Sequence, residues 1–362
     1  MRTLRLAINP DNLDSEEARG VIAEAAFILR GGGLVGFPTE TVYGLGANAL
    51  RADAVAKIFE AKQRPSWDPV IVHISDLSML SSVLTSLQYK SCAQQLMQIY
   101  WPGPLTLLLP RSVSVPDVVT AGRPLVGVRM PANPVAQALI AAAGVPIAAP
   151  SANSFGRISP TTAAHVLEDL DGRIDAILDA GETTLGVEST VVDASVEPVI
   201  VYRPGVITLK DIQDVCGSAH AWVAADWSGK SMGGPHESLP SPGVGIRHYA
   251  PRARLMLIDG DPSQQAPKLV AAVREASRKL LRVGVMLPGN FLTRGHQELP
   301  ANTKIFEWGD WGNLRELAHR LFAGLRELDA AGVDSILCPL PPSLGIGAAL
   351  RDRLIKAAEP NP

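Results

Sequence analysis

Residues 36–50 read GFPTETVYGLGANAL, and how this stretch is understood decides the fold. It follows an apolar run and precedes RADAVAKIFEAK, residues 51–62, in which Val55, Ile58 and Phe59 recur at helical spacing. A glycine-rich turn between a strand and a helix is where many nucleotide enzymes cradle phosphate. This turn has no lysine, and its glycines fit neither GxxxxGK[ST] nor GxGxxG. It reads as a loop of hydroxyls and a glutamate whose glycines give the backbone room to bend.

Outward from the turn, helices and strands alternate. Acids at Asp14, Glu16 and Glu17 open a helix that runs to about Arg30. LVGFP, VIVHI, LTLLLP, VGVRM, PIAAPSAN, DAILDA, STVVDA and VIVYRPG read as strands, and CAQQLMQIYW and NPVAQALIAAAG as helices. A further helix starts at about Thr161. These segments predict a mixed α/β sheet over residues 1–210. Residues 211–252 are rich in Gly, Ser and Pro with weak periodicity, and read as a linker. In residues 253–362, RLMLIDG, RVGVMLP and DSILCPL alternate with helical stretches, predicting a smaller, Rossmann-like parallel α/β domain.

Composition agrees with two domains, because 362 residues are many for one hydrophobic core. With 46% hydrophobic and 19% charged residues the chain is ordinary globular protein. No apolar run approaches the roughly 20 residues that span a bilayer, and the first residues lack a signal-peptide core, so the expected location is the cytoplasm. A net charge of −3 gives no general attraction to nucleic acid or membrane. Cys92, Cys216 and Cys338 are far apart and odd in number, and read as reduced structural thiols rather than a disulfide framework or a zinc site.

Several polar groups stand at element ends. Lys62 and Arg64 close the second helix, where they either complement its dipole or converge on an anion such as a triphosphate. APSANSFGRISPTT, residues 149–162, gathers Ser151, Asn153, Ser154 and Ser159 before a helix, either as a turn and cap or as a ligand cradle. Arg129, Arg203, Glu188 and Ser189 lie at strand ends, and an arginine leaving a buried strand needs a carboxylate or phosphate from protein or ligand. His73 in VIVHI is more readily a hydrogen-bonded structural residue than a catalyst. No Ser-His-Asp or Cys-His order suggests covalent catalysis. The set fits an enzyme that works by positioning two substrates and neutralising charge.

PTETVYGLGANA, KQRP, VIVHI, GVRMP, APSAN, SPT, ESTVVD, RPG and SPGVGIRHYAP follow one another between residues 36 and 251. In this order they resemble the threonylcarbamoyl-AMP synthase family, in its longer two-domain form. The resemblance implies a YrdC-like twisted mixed sheet with a large concave cleft. It also implies a reaction of L-threonine, bicarbonate or CO2, and ATP with Mg²⁺, and a separate transferase that uses the product to modify adenosine beside the anticodon of tRNA. A weak contact with tRNA itself is part of that expectation. By motif, Thr41, His73, Arg129, Ala149 and Ser189 are expected to line the L-threonine site. Arg64, Asp68, Ser151, Asn153, Ser159, Arg203 and Tyr249 are expected to hold ATP, with Lys62 and Arg64 as the catalytic cations. Tyr249 would reach back from the linker, making that segment either a lid over a labile adenylate or a passive tether.

The sequence departs from the family pattern in three places. Trp67-Asp68 stands where Asp-Asn is common, so an amide contact falls to Asp68, which as an anion needs Mg²⁺ or a donor beside it. SANSFG alters the order of SANxSG, and the Lys and Tyr often found before Arg247 are missing. A rival role, cradling double-stranded RNA, needs a focused basic patch, since residues 1–210 hold sixteen Lys or Arg against twenty Asp or Glu. A carbamoyl transferase would bring zinc-finger cysteine pairs that are not seen here.

Overall fold

The computed structural model describes residues 2–86, 90–221, 248–292 and 299–359. They divide into two compact units, the first of residues 2–155, 160–184 and 188–221, the second of residues 156–159, 185–187 and 248–359.

The first unit runs β1 (Leu4–Ala7), α1 (Glu16–Arg30), β2 (Val35–Phe37), β3 (Gly44–Asn48), α2 (Ala52–Lys62), β4 (Ile71–His73), α3 (Leu80–Val83), α4 (Ser91–Tyr100), β5 (Leu105–Pro110) and α5 (Asp117–Thr120). It continues with β6 (Leu125–Arg129), α6 (Pro134–Ala143), β7 (Ile147–Ala148), α7 (Ala163–Leu170), β8 (Ala176–Asp179), β9 (Thr190–Asp193), β10 (Val199–Arg203), α8 (Leu209–Cys216) and β11 (Ala219–Ala221). The strands form one mixed sheet of eleven, in the order β1-β8-β2-β3-β7-β4-β6-β5-β9-β10-β11.

Local sequence explains the helices that frame it. The Asn133 side chain accepts from the backbone N–H of Val135 and Ala136, Pro134 occupies the first turn, and Gly144 at φ 65° ends α6 in a left-handed conformation. Val135, Leu139 and Ile140 then face Ala25, Ala26 and Leu29 of α1 and Val35 and Phe37 of β2. Each such side chain removed from water is worth about 2 kcal/mol. The strands alternate as their period demands: Ala176 and Leu178 join this cluster, and Ile177 turns to the cluster packed by α2 and α4.

The opening motif is only half a loop. GLGAN is β3, inside the sheet and paired antiparallel with β2, Gly36 opposite Leu45. A Cβ on Gly46 would lie 2.9 Å from Ile147 and from the Phe37 ring, so that glycine makes room for close strand packing rather than a bend. The short β7 joins β3 on one side to β4 on the other, antiparallel to both. The segment that follows extends the joint, with Leu45 N–H donating to Pro150 O and Ala152 N–H to Tyr43 O, each at 2.8 Å.

The start of the segment read as a linker is ordered. Thr208 and Asp211 cap α8 reciprocally, Ile212 is buried, and β11 pairs parallel with β10, so residues 211–221 belong to the first unit's sheet and its covering helix. Of the rest of the segment given the lid reading, residues 222–247 lie outside the described residues and residues 248–252, with Tyr249, belong to the second unit. Cys92 of α4 and Cys216 of α8 form a disulfide, with Cα atoms 5.1 Å apart. This corrects the expectation of separate thiols; 124 residues part them in sequence, and only the packing of the helices brings them together. Cys338 is a buried free thiol.

The second unit contains β12 (Arg254–Ile258), α9 (Pro262–Arg278), β13 (Val283–Gly289), β14 (Lys304–Asp310), α10 (Leu314–Ala330), β15 (Ser335–Pro339) and α11 (Gly347–Ala358). Its sheet is parallel throughout, in the order β12-β15-β13-β14. Among the described residues no helix is long and apolar enough to cross a membrane.

Candidate active site

Before β3 the chain makes a tight turn held by Thr39. Its Oγ1 donates to Val42 O at 2.7 Å and accepts from the N–H of Thr41 at 3.2 Å. With its proton so used, Thr39 accepts from the Thr41 hydroxyl at 2.8 Å, and Thr41 accepts from Arg129 Nη1 at 2.9 Å. One polarised chain thus runs from a guanidinium through two hydroxyls to a carbonyl. Arg129 ends β6 and His73 ends β4, directly opposite each other in the parallel ladder. Arg129 Nε donates to Gly103 O at 3.3 Å, and Nη2 lies 2.7 Å from the carboxylate of Glu40.

All of this is buried: Thr41 is 0%, Arg129 and His73 4%, and Glu40 7% exposed. Burial, and after it the charge of Arg129, holds His73 down at about 3, so its imidazole is neutral across the ordinary pH range. Its Nδ1 makes no hydrogen bond among the described residues, and the ring meets Phe37 edge-on with centroids 6.2 Å apart. Ala149 enters through its backbone, its N–H fixed on Ile71 O at 2.8 Å.

A second group gathers where α2 ends. Gln63, at φ 54°, turns the chain, and the Arg64 N–H closes on Phe59 O at 2.9 Å. Lys62 does not sit at an exposed helix end as its dipole reading supposes. It is 1% exposed and donates through Nζ to Ser151 O at 2.6 Å and to Asn153 O. Burial, and then the neighbouring Arg64, push its ammonium well below the usual lysine range.

Arg64 donates to Asp68 O and Pro69 O at 3.0 and 2.7 Å, pairs with the Asp68 carboxylate at 2.8 Å and lies 5.9 Å over the Phe155 ring. Arg64 is therefore the donor that the departure at Asp68 calls for. Burial raises the Asp68 carboxyl, opposed by the charges of Arg64, Lys62 and Arg203. Its Oδ1 makes no hydrogen bond among the described residues.

Arg203 ends β10 beside an irregularity in its register with β9. It grips Ser189 twice, Nε to the carbonyl and Nη2 to Oγ, each at 3.0 Å, and Ser189 Oγ lies 2.8 Å from Thr106 Oγ1.

The structure thus joins Thr41, His73 and Arg129 in one constellation, Lys62, Arg64, Asp68, Ser151 and Asn153 in another, and Arg203 with Ser189 in a third. Ser159 and Tyr249 belong to the second unit. There Ser159 is fully buried, and Tyr249, at φ 66°, stacks on Phe322 at 5.6 Å with the Arg353 guanidinium 5.5 Å over its ring. The sequence reading missed Glu40, Thr39 and Thr106. Glu40 carried a signal, since a lone acid inside an apolar stretch needs a partner. The motif's Tyr43 is structural, donating to Gly181 O at 2.7 Å.

The class defined by this mixed sheet and its buried arginines is a two-unit, YrdC-like α/β protein. The crystal structure of P. abyssi Sua5 complexed with L-threonine matches with a TM-score of 0.88 at 39% identity, covering 98% of each chain. A variant of the same protein with a His-Tyr pair changed to alanines matches at 0.86, again at 39% identity, covering 98% of this chain and 96% of that one. The family model described as "Telomere recombination" (Sua5, YciO, YrdC) matches residues 27–205, and that described as "Threonylcarbamoyl-AMP synthase, C-terminal domain" matches residues 207–359. Proteins named threonylcarbamoyl-AMP synthase from Pyrococcus abyssi and Bacillus subtilis are 42% and 41% identical, covering 92% and 99% of this chain and 93% and 98% of theirs. The chain belongs to the Sua5 family of threonylcarbamoyl-AMP synthases.

Proposed function

We propose that this chain is a threonylcarbamoyl-AMP synthase, an L-threonine- and ATP-using nucleotidyl transferase that serves tRNA modification. The observation that carries the reading is the end-to-end likeness to proteins of that name, including one solved with L-threonine. Catalysis belongs to the first unit, which holds every polar constellation described above.

L-threonine meets Arg129 with its carboxylate, while Thr41, Ser189 and the neutral His73 address its remaining polar groups. ATP lies along Arg64, Asp68, Ser151, Asn153 and Arg203 of the first unit. A triphosphate arriving beside Lys62 favours the protonated ammonium that burial otherwise opposes. Lys62 thereby joins Arg64, whose guanidinium is always charged, as a second cation facing the polyanion.

The amine of threonine adds to CO2, giving a carbamate. A carbamate oxygen then attacks the α-phosphorus, and the bond to pyrophosphate breaks as threonylcarbamoyl-AMP forms. Lys62, Arg64 and Arg203 offset the charge that develops, in a site whose dipoles are already set. Mg²⁺ enters as part of the ATP substrate. Among the described residues no cluster of three His, Cys, Asp or Glu side chains is placed to hold a metal of its own. The product passes to a separate transferase that acts on the adenosine beside the tRNA anticodon, in the cytoplasm.

The test is pyrophosphate release from ATP·Mg²⁺ with bicarbonate, with and without L-threonine, and the mass of the nucleotide formed. Release that needs both threonine and bicarbonate is expected. Release indifferent to threonine would overturn the reading.

A further inference from the structure

Glu40 has hydrogen-bonding capacity that the fold leaves unspent. Its side chain is 9% exposed, and neither carboxylate oxygen makes a hydrogen bond among the described residues. Its backbone is fixed instead, the carbonyl accepting from Thr184 Oγ1 at 3.3 Å. Arg129 Nη2, 2.7 Å from Oε1, likewise makes no hydrogen bond, because the pair meet as charges at an angle too poor for one. The other arginine nitrogens are committed to Thr41 Oγ1 and Gly103 O. A buried charge pair with unspent hydrogen bonds is costly to keep. It is repaid by a ligand that offers a negative and a positive group side by side.

An α-amino acid zwitterion is such a ligand, with carboxylate and ammonium on one carbon. Resting on the function proposed above, we propose that Glu40 is a substrate-contacting residue that receives the ammonium of the amino acid and takes the proton that group must lose. The carboxylate turns to Arg129 Nη2, and the ammonium turns to Glu40. An N–H bond then breaks, its proton passes to a Glu40 oxygen, and its electron pair stays on nitrogen. That pair forms the new bond to the carbon of CO2, whose C=O electrons move to oxygen. The second proton leaves nitrogen to water, and a carbamate anion results. Glu40 therefore sets the substrate class: a deaminated hydroxy acid leaves a buried carboxylate facing no cation but Arg129.

The experiment compares binding of L-threonine and 3-hydroxybutanoate, which lacks only the amine, to the full chain and to its Glu40→Gln variant by calorimetry. Losing a hydrogen bond between charged groups costs about 10- to 100-fold in affinity. The unaltered chain is expected to prefer threonine by that factor, and Glu40→Gln to shrink the preference to about threefold. At saturating threonine, pyrophosphate release by the variant is expected to fall about 100-fold, the usual worth of a positioned base. Equal affinity of the unaltered chain for both ligands overturns the proposal without any variant. So does a variant that keeps the full preference, and an undiminished saturated rate overturns the proton role. If the unaltered chain binds no threonine, the proposed function fails first.

Discussion

The strongest electrostatic consequence of the site concerns His73. It is held at about 3 by burial, with the charge of Arg129 adding to the effect. In the unfolded chain a histidine titrates near 6.5. Between those values the unfolded state binds a proton that the folded state refuses, so stability falls as pH falls through this window. From pH 7 to pH 5 the unfolded imidazole goes from mostly neutral to almost fully protonated, while the folded one stays neutral. Integrating that difference gives a loss of about 2 kcal/mol from this residue alone. The figure is set by the unfolded value, because the folded ring takes up no proton until well below pH 5. Urea unfolding followed by circular dichroism, at both pH values, on the unaltered chain and on His73→Gln isolates the term. Contributions from the second unit and all other groups cancel in the comparison. The variant is expected to lose about 2 kcal/mol less than the unaltered chain. Equal losses would refute the account of a buried, neutral His73.

Three further outcomes follow from the same geometry. Arg129→Lys keeps the charge but not the fork that reaches Thr41, Glu40 and Gly103 together, so KM for L-threonine should rise about 10- to 100-fold with KM for ATP little changed; steady-state kinetics in each substrate checks it. Gly46→Ala places a methyl 2.9 Å from Ile147 and Phe37 and should cost about 1–3 kcal/mol in denaturant stability. Reducing the Cys92–Cys216 bond, which spans 124 residues, should lower the melting temperature of the first unit, the chain-entropy limit being about 5 kcal/mol. An unchanged melt in dithiothreitol, with Cys92 and Cys216 both open to thiol reagents in the native protein, would contradict it.

Much of the fold was legible because its elements carry local signals. Asn133, Pro134 and Gly144 announce the start and end of α6, and Val55, Ile58 and Phe59 mark α2. The chain failed to declare itself where local and tertiary preferences part. Gly44 and Gly46 look like loop residues, yet they are small because Phe37, Ile147 and Ala149 crowd β3. Leu209 and Ile212 give α8 its apolar side, but the Gly, Ser and Pro that follow drew it into an apparent linker. KIFEWGD, now β14, alternates too weakly to stand out beside stronger strands. In the site, residue types were readable and partners were not. Arg129 and Arg203 both end strands, but only the structure sets one against Glu40 and Thr41 and the other on Ser189. Glu40 was visible from the start as an acid between threonines, and its meaning depends on a strand almost ninety residues later.

Residues 147–153 join β3 to β4 and also present Ala149, Ser151 and Asn153. Their carbonyls hold Lys62, and their amides and carbonyls stitch the sheet to Leu45 and Tyr43. Mutational latitude is consequently narrow there, since a change made to tune the proposed nucleotide site alters the closure of the sheet as well. Substrate preference is more freely redesigned from the side chains of Glu40 and Thr41, which lie outside the strands of that joint. A library built for new amino-acid acceptors should leave the segment after β7 untouched and vary those two positions.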